Sequence, residues 1–467
     1  MKTVSNPDNN RKNALVIGGS LAGLMAARIL SDHFDQVTIL ERDPVHDEPE
    51  SRKGQSHTRH LHGLLAQGLT LISQLFPGIE QSLAAGGAIF GDMGLFMRWY
   101  HFDGYKKQYE SGLIGGLMSR PFLEWHIRQR VLALPNVTLL VECDVEELLT
   151  TSDQARVVGV RVTHRGGEKQ AHILSADLVV DASGRGSATP KWLATLGYPK
   201  PPESTIRINM GYATRIYRRR PNDLVGAELV MIAGTPPHDK RAGLIFPIEE
   251  DRWIVTLSGT QNDHAPLDEA GFLEFARSLA APDIYKIISR AEPLSNIIPY
   301  KFPASLRRHY EKLRRFPNGY LVMGDALCSF NPIYGQGMTS AVMQAAALGE
   351  LIGERGGHLP GLWRDFFRRA AKVVDIPWQL AAGEDFRYPE TQGKKAPGTD
   401  LVNRYVARVH RAAHYDTVVY GQFLRVMNLM APPTSLFNPA IIRRVLRQPS
   451  APSTFLAPQT ATKAETS

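Results

Sequence analysis

The chain has 467 residues, 43% of them hydrophobic and 21% charged, with 54 Lys and Arg against 46 Asp and Glu and a net charge of +8. That length is too great for one simple core and calls for two or three globular units. Two cysteines, Cys143 and Cys328, exclude a disulfide framework; scattered basic residues without a recognition motif argue against nucleic acid; and no run of about 18 apolar residues offers a transmembrane helix.

The polar segment 1–13 lacks the apolar core of a signal peptide, so a cytoplasmic protein is expected. Ala14–Ile17 is a short, branched apolar run that suits a buried parallel strand. The Gly-rich turn Gly18-Gly19-Ser20-Leu21-Ala22-Gly23 follows, then a helix over Leu24–Leu30 and a second strand, Val37–Leu40, ending in Glu41. Strand, tight turn, helix, strand and acid is the layout that binds the ADP half of a dinucleotide. Gly18 permits the turn and Gly23 lets the helix lie close to the strand. Free N–H groups at the helix start face the diphosphate. Glu41, about 20 residues after the turn, is placed to accept from ribose hydroxyls. Ser20 replaces the usual middle glycine, and its hydroxyl is available to donate to phosphate.

Arg52-Lys53-Gly54 and Arg59-His60-Leu61-His62 form a basic stretch beside this unit, better suited to phosphate and ring contacts than to a metal, since no acid or cysteine of ligand spacing accompanies the histidines. Leu64–Leu75 has helical periodicity, and residues 86–118 carry aromatics on short strands. Ser119-Arg120-Pro121 opens a helix to Leu132, with Arg120 near its N-cap. Val137–Val141 is a strand, and Val157–Thr163 and His172–Leu174 flank a turn at 165–168 in a hairpin pattern. Leu178–Asp181 is a further buried strand, leading into Ala182-Ser183-Gly184-Arg185-Gly186-Ser187. Between Tyr198 and Tyr300 the texture becomes strands, at Ile206–Tyr217, Ala227–Ile232, Gly243–Pro247 and Trp253–Ser258, with one helix at Ala270–Ala280. This suits a separate sheet unit that holds substrate.

Tyr320–Met323 returns to the first unit and ends in Gly324-Asp325. Pro332, Gly335, Gly337 and Met338 then open a helix running to Glu354. A carboxylate at a strand end can accept from a ribityl hydroxyl. A glycine loop opening a helix aims free N–H groups at a ring that becomes negative on reduction. A flavin has that need and nicotinamide alone does not. Residues 361–447 are mostly helical and rich in Arg and aromatics, and 448–467 have the composition of a disordered tail.

Together the two motifs resemble the FAD fingerprints of the single-component flavoprotein monooxygenases of aromatic-hydroxylase type, over about residues 13–355. Within that superfamily the stretches Arg52–His62, Asp177–Ser187, Pro247–Thr260 and Phe330–Met338 look most like the epoxidases of polyether polyketide pathways. The resemblance implies an α/β fold: a Rossmann-type, glutathione-reductase-like FAD domain (1–85, 111–197 and 305–360). Into it is inserted a mixed or antiparallel substrate sheet (86–110 and 198–304), and a helical C-terminal region (361–447) follows. It assigns the diphosphate to Gly18, Gly19, Ser20, Ala22 and Gly23, the ribose to Glu41 and the ribityl chain to Asp325. Arg42, Arg59 and Arg120 contact the cofactor in this scheme, the Val145 backbone meets adenine, and Gly335, Gly337 and Met338 face the isoalloxazine. The implied reaction puts one oxygen atom of O2, captured at flavin C4a, into a hydrophobic metabolite by epoxidation or hydroxylation. NAD(P)H is the implied donor, directly or through a flavin reductase. Ser183 stands where aromatic hydroxylases carry the aspartate of an Asp-Gly pair tied to NAD(P)H, which leaves a separate reductase open. No Trp-x-Trp-x-Ile-Pro motif of flavin halogenases is present. The alternatives are a reductase of unsaturated lipids or prenyl groups and a flavin-binding protein without turnover. No side chain stands out as a catalytic acid or base; packing is expected of Tyr334 and His57, and Cys328 is expected to be a small buried residue.

Overall fold

The computed structural model describes residues 12–165 and 171–447. The expected tail at 448–467 and most of the turn at 165–168 lie outside the described residues.

The first sheet has five parallel strands in the order Tyr320–Val322, Leu178–Asp181, Asn13–Ile17, Gln36–Leu40 and Val137–Leu140. All four residues of Leu178–Asp181 are buried, as a strand covered on both faces requires. Helix Leu21–Leu30 packs on this sheet and against helix Gly337–Glu354, where Gly349 allows close approach to Ile29. Helix Arg120–Leu132 lies beside it, started by the Ser119 hydroxyl, which accepts from Phe122 N–H at 3.3 Å. A three-stranded antiparallel sheet, Cys143–Thr150, Val157–His164 and Ala171–Ser175, joins the same core.

The second sheet runs Cys328–Ser329, Ile298–Arg308, Glu203–Arg218, Arg252–Gly259, Arg241–Ile248, Leu229–Ala233, Met97–Tyr100, with Gln392–Gly393 added on Glu203–Arg218. It is antiparallel except where Leu229–Ala233 meets Met97–Tyr100. Two helices, Glu269–Arg277 and Asp283–Ile288, cover one part of it through Phe272, Phe275, Ile284 and Ile287. The C-terminal helices Thr399–Ala412, Thr417–Met427 and Pro439–Leu446 build another core with Trp99, Leu229, Phe246 and Ile254.

The four strands expected between 206 and 258 are present, three of them longer than their periodic stretches and the fourth, Leu229–Ala233, shifted by one or two residues and shorter. Strand Ile298–Arg308 and helix Asp283–Ile288 were not foreseen. The strand carries Pro299 and Pro303, which usually argue against a paired strand. Both fit because Cys328–Ser329 joins its outer side only at Leu306 and Arg307. This strand also runs through 304–305, where one unit was expected to give way to the other.

Candidate functional site

The Gly-rich turn is built on contacts that exclude side chains. Gly18 has φ +103°, donates to Leu40 O at 2.8 Å, and a Cβ there would meet Ala182 O at 2.7 Å. A Cβ on Gly23 would stand 1.7 Å from Gly18 O, so only glycine lets the first turn of the helix fold back on the loop. Gly19 N–H donates to Glu41 Oε2 (2.8 Å) and Asp43 N–H to Glu41 Oε1 (2.9 Å), which fixes the Glu41 carboxylate at the strand end.

Behind the turn lies a buried ionic cluster. Arg52 bridges Glu41 (2.8 Å) and Glu124 (2.5 Å), and Arg120 reaches Glu124 at 2.8 Å, all with side chains at most 6% exposed. Arg128 stands 3.8 Å from Glu124. Burial works to raise the Glu124 carboxyl, but Arg120 and Arg52 outweigh it and hold it below the usual carboxylate range. Burial likewise works against Arg52, yet Glu124 and Glu41 raise it overall. Three guanidiniums therefore face two carboxylates, leaving one positive charge in excess. Arg120 Nη1 is buried without a hydrogen-bond partner. Such an orphaned donor beside a glycine turn and a helix N-terminus is the arrangement an anionic diphosphate satisfies.

The second motif closes on the first. Gly324 has φ +64° and comes so near Ala22 that a Cβ would lie 2.8 Å from the alanine methyl. Its N–H donates to Gln344 Oε1 (2.9 Å), from helix Gly337–Glu354. Asp325 follows, exposed to the cleft yet deep among protein atoms. Burial among protein atoms raises its carboxyl to about 6, opposed by Arg185 and Arg120. Arg308 ties this turn to the second sheet by donating to Ala326 O (2.8 Å) and Arg185 O (3.2 Å). Next, Asn331 caps the short turn Pro332–Tyr334, Gly335 closes it at φ +65°, and helix Gly337–Glu354 begins. No atom lies within 4 Å of where a Gly337 Cβ would be, leaving open space at this N-terminus. Gln336, 1% exposed, has no partner for either end of its amide. These features fit a flavin: a carboxylate for the ribityl chain, and room with free N–H groups for a ring.

The second sheet supplies the facing wall. Ile208, Met210, Tyr212 and Phe302 cluster with Tyr300, Ile333 and Tyr388. His60 joins the units, its Nδ1 2.8 Å from Thr214 Oγ1 and its ring 5.3 Å from that of Tyr300. Burial lowers His57 and His60 to about 4 and His62 to about 3, so all three are neutral at neutral pH.

The structure thus brings Gly18, Gly19, Ser20, Ala22, Gly23, Glu41 and Arg120 together, with the Gly324-Asp325 turn against Ala22 and Gly335, Gly337 and Met338 on the loop and helix beyond it. The other expected residues are placed as follows. The Ser20 hydroxyl donates to Glu124 (2.9 Å), so its proton is already committed. Arg42 is exposed and donates to Gly54 O (3.2 Å), and Arg59 is exposed as well, so neither belongs to the buried cluster. Val145 sits in the three-stranded sheet opposite Val162. Tyr334 does more than pack, since its hydroxyl donates to Asp385 Oδ1 (2.9 Å). Cys328 is 1% exposed and both cysteines are free. Ser183 donates from N–H (2.9 Å) and hydroxyl (2.5 Å) to Asp181, which gives it a local structural role. Glu124, Asn331 and Asp385 had no assigned role, and Arg52, expected among phosphate and ring contacts, pairs with Glu41 and Glu124. For Glu124 the available signal was its spacing of four from Arg120, which on most helices marks an exposed pair.

The fold is that of the FAD-dependent monooxygenases and halogenases. A flavoprotein/dehydrogenase from Cytophaga hutchinsonii matches with a TM-score of 0.67 at 15% identity, over 93% of this chain and 96% of that one. p-Nitrophenol 4-monooxygenase PnpA from Pseudomonas putida matches at 0.62 and 16% identity, over 90% and 98%. The flavin-dependent brominase Bmp2 matches at 0.61 and 13%, over 92% and 96%. No protein-family model matches the sequence. In sequence the chain is 34% identical over 442 residues to Protein Rv3254 of Mycobacterium tuberculosis, covering 90% of each, and it belongs to the family of that protein.

Proposed function

We propose that this chain is an FAD-dependent monooxygenase that places one oxygen atom of O2 into a hydrophobic small molecule, by alkene epoxidation or hydroxylation. The carrying observation is the unpartnered Arg120 Nη1 in a buried cluster of excess positive charge, on the same cleft as Asp325 and the open N-terminus of helix Gly337–Glu354. When bound, reduced FAD supplies the activation of O2, one atom going to substrate and the other leaving as water.

The chain's own residues bind, orient and enclose. Glu41 holds the ribose while Gly19 N–H and Asp43 N–H keep it in place. Arg120 neutralises the diphosphate, Asp325 accepts from the ribityl chain, and the helix N-terminus favours negative charge on the ring. Segments 1–85, 111–197 and 305–360 carry the cofactor in this reading, and the second sheet carries substrate. The wall formed by Ile208, Met210, Phe302 and Ile333 suits an apolar substrate and keeps water from it. Electrons come from NAD(P)H. Because Ser183 is turned back onto Asp181, we assign delivery to a separate flavin reductase of the same cytoplasmic compartment.

The test is to purify the protein and add FAD. A yellow complex whose flavin is released on denaturation, and whose oxidation of supplied reductant depends on O2, supports the proposal. A folded protein that takes up no FAD overturns it. Turnover of an unsaturated substrate under anaerobic conditions would replace the oxygenase by a reductase.

A further inference from the structure

Helix Leu362–Asp385, from the C-terminal region, ends against the loop that opens helix Gly337–Glu354. Its last residue, Asp385, is 1% exposed. One carboxylate oxygen, Oδ1, accepts from Asn331 Nδ2 (2.8 Å) and from the Tyr334 hydroxyl (2.9 Å). The other, Oδ2, is buried with no partner. Asn331 is fully buried and its own Oδ1 takes the Ile333 N–H at 3.3 Å. A single oxygen from a helix some 50 residues downstream therefore grips both ends of the turn Asn331–Tyr334, immediately before Gly335 and Gly337.

The surroundings of Asp385 offer no counter-charge. On its own helix stands Glu384, already paired with Arg387 at 2.7 Å, and Tyr388 follows just beyond. The loop presents Asn331 and Tyr334, and the second sheet presents Tyr212, whose hydroxyl is buried without a partner. Among the described residues no Lys, Arg or His pairs with Asp385. Burial accordingly raises its carboxyl to about 7, against the two donors, with Glu384 adding to the rise. As a neutral acid it still accepts both hydrogen bonds at Oδ1. Once ionised, it places an uncompensated charge on Oδ2 that is relieved by admitting water and shifting the turn.

We propose that Asp385 is a positioning residue of the flavin site: acting through Asn331 and Tyr334, it sets the loop that presents the N-terminus of helix Gly337–Glu354 to the cofactor, and its loss of a proton loosens that hold. This rests on the flavin reading above.

The experiment is titration of cofactor-free protein with FAD between about pH 6 and about pH 8.5, followed by flavin absorbance, alongside thermal melting without FAD. The wild-type dissociation constant should rise at least about threefold across that range, because ionisation opposes the bound geometry. Asp385→Asn keeps the Oδ1 acceptor and stays neutral, so its constant should lose the rise centred near pH 7 and keep only the shallow fall that Asp325 gives on ionising near pH 6. Tyr334→Phe removes a donor that favours the ionised form and should move the wild-type midpoint to higher pH. In the melts, taken from about pH 4 to about pH 8, a folded-state acid raised above its unfolded value gives stability that is full below about 4, is lost between there and about 7, and changes no further above it. That loss should vanish in Asp385→Asn. A flat wild-type binding profile, or the same pH response in Asp385→Asn, overturns the assignment while leaving the flavin reading intact. A folded wild type that binds no FAD at any pH overturns both.

Discussion

Glu124 shows how a single side chain can serve a site it does not touch. It accepts from Ser20, Arg52 and Arg120 while nearly fully buried, and so keeps these arginines in place behind the glycine turn. Removing one member of such a network strands the rest. Glu124→Gln should destabilise the cofactor-free protein by about 3–5 kcal/mol, read by chemical denaturation at neutral pH. The loss should be smaller with FAD bound, since the diphosphate supplies part of the missing negative charge. Glu41→Ala and Asp325→Ala each remove charge-assisted hydrogen bonds, of about 1.5–3 kcal/mol, and should weaken FAD binding about 10- to 100-fold in equilibrium titration. Unchanged affinity in both would detach these carboxylates from the cofactor. The two differ in what the sequence revealed. Glu41 and Asp325 end apolar strands and were legible by position. Glu124 lies inside a helix, and its role depends on Arg52, 72 positions away, folding over it.

Among elements, the glycine turn and the strand Ile298–Arg308 mark opposite limits of legibility. The turn was readable because its geometry admits one residue type at two positions. Gly18→Ala forces a side chain into a left-handed conformation and against Ala182 O, at a cost of at least about 1–3 kcal/mol. A melting temperature within error of wild type would refute that account. Ile298–Arg308 was hidden because its prolines obey a rule about pairing that only the finished sheet can waive. Its neighbour across the sheet is Glu203–Arg218, with Phe302 facing Met210 about 90 residues upstream, so no local pattern announces it. Helix Asp283–Ile288 was missed for a simpler reason: six residues carry too little periodicity to tell helix from strand.

For the whole molecule, the second sheet was expected to hold substrate, but which of its residues cluster with Ile333, and that helix Leu362–Asp385 ends on the loop Asn331–Tyr334, could not be foreseen. Periodicity reports that an element has an apolar face, and not which surface that face meets. Asp385 enters from a region expected only to be helical, and the aromatic stretch near Trp99 forms core with Tyr420 and Phe423. The FAD motifs were legible across about 300 residues because each carries its own backbone requirement. No helix among the described residues is long and apolar enough to cross a membrane. A cofactor bound only by the folded state should stabilise the entire chain: FAD at about 100 times its dissociation constant adds about 2.7 kcal/mol, a rise of a few degrees in melting temperature. A melting temperature unmoved by saturating FAD would contradict binding to the native fold.

The contact between Ala22 and Gly324 carries a consequence for how the protein is made. The glycine turn leaves the ribosome well before the turn that seats against it, which follows about 300 residues later, about 15–60 s at ordinary rates of synthesis. During that interval the excess of buried arginine charge has neither its cleft nor its ligand. A nascent chain halted before Gly324 should hold no FAD, while one extended past helix Leu362–Asp385 should begin to do so, which makes cofactor capture a late event in the birth of the molecule.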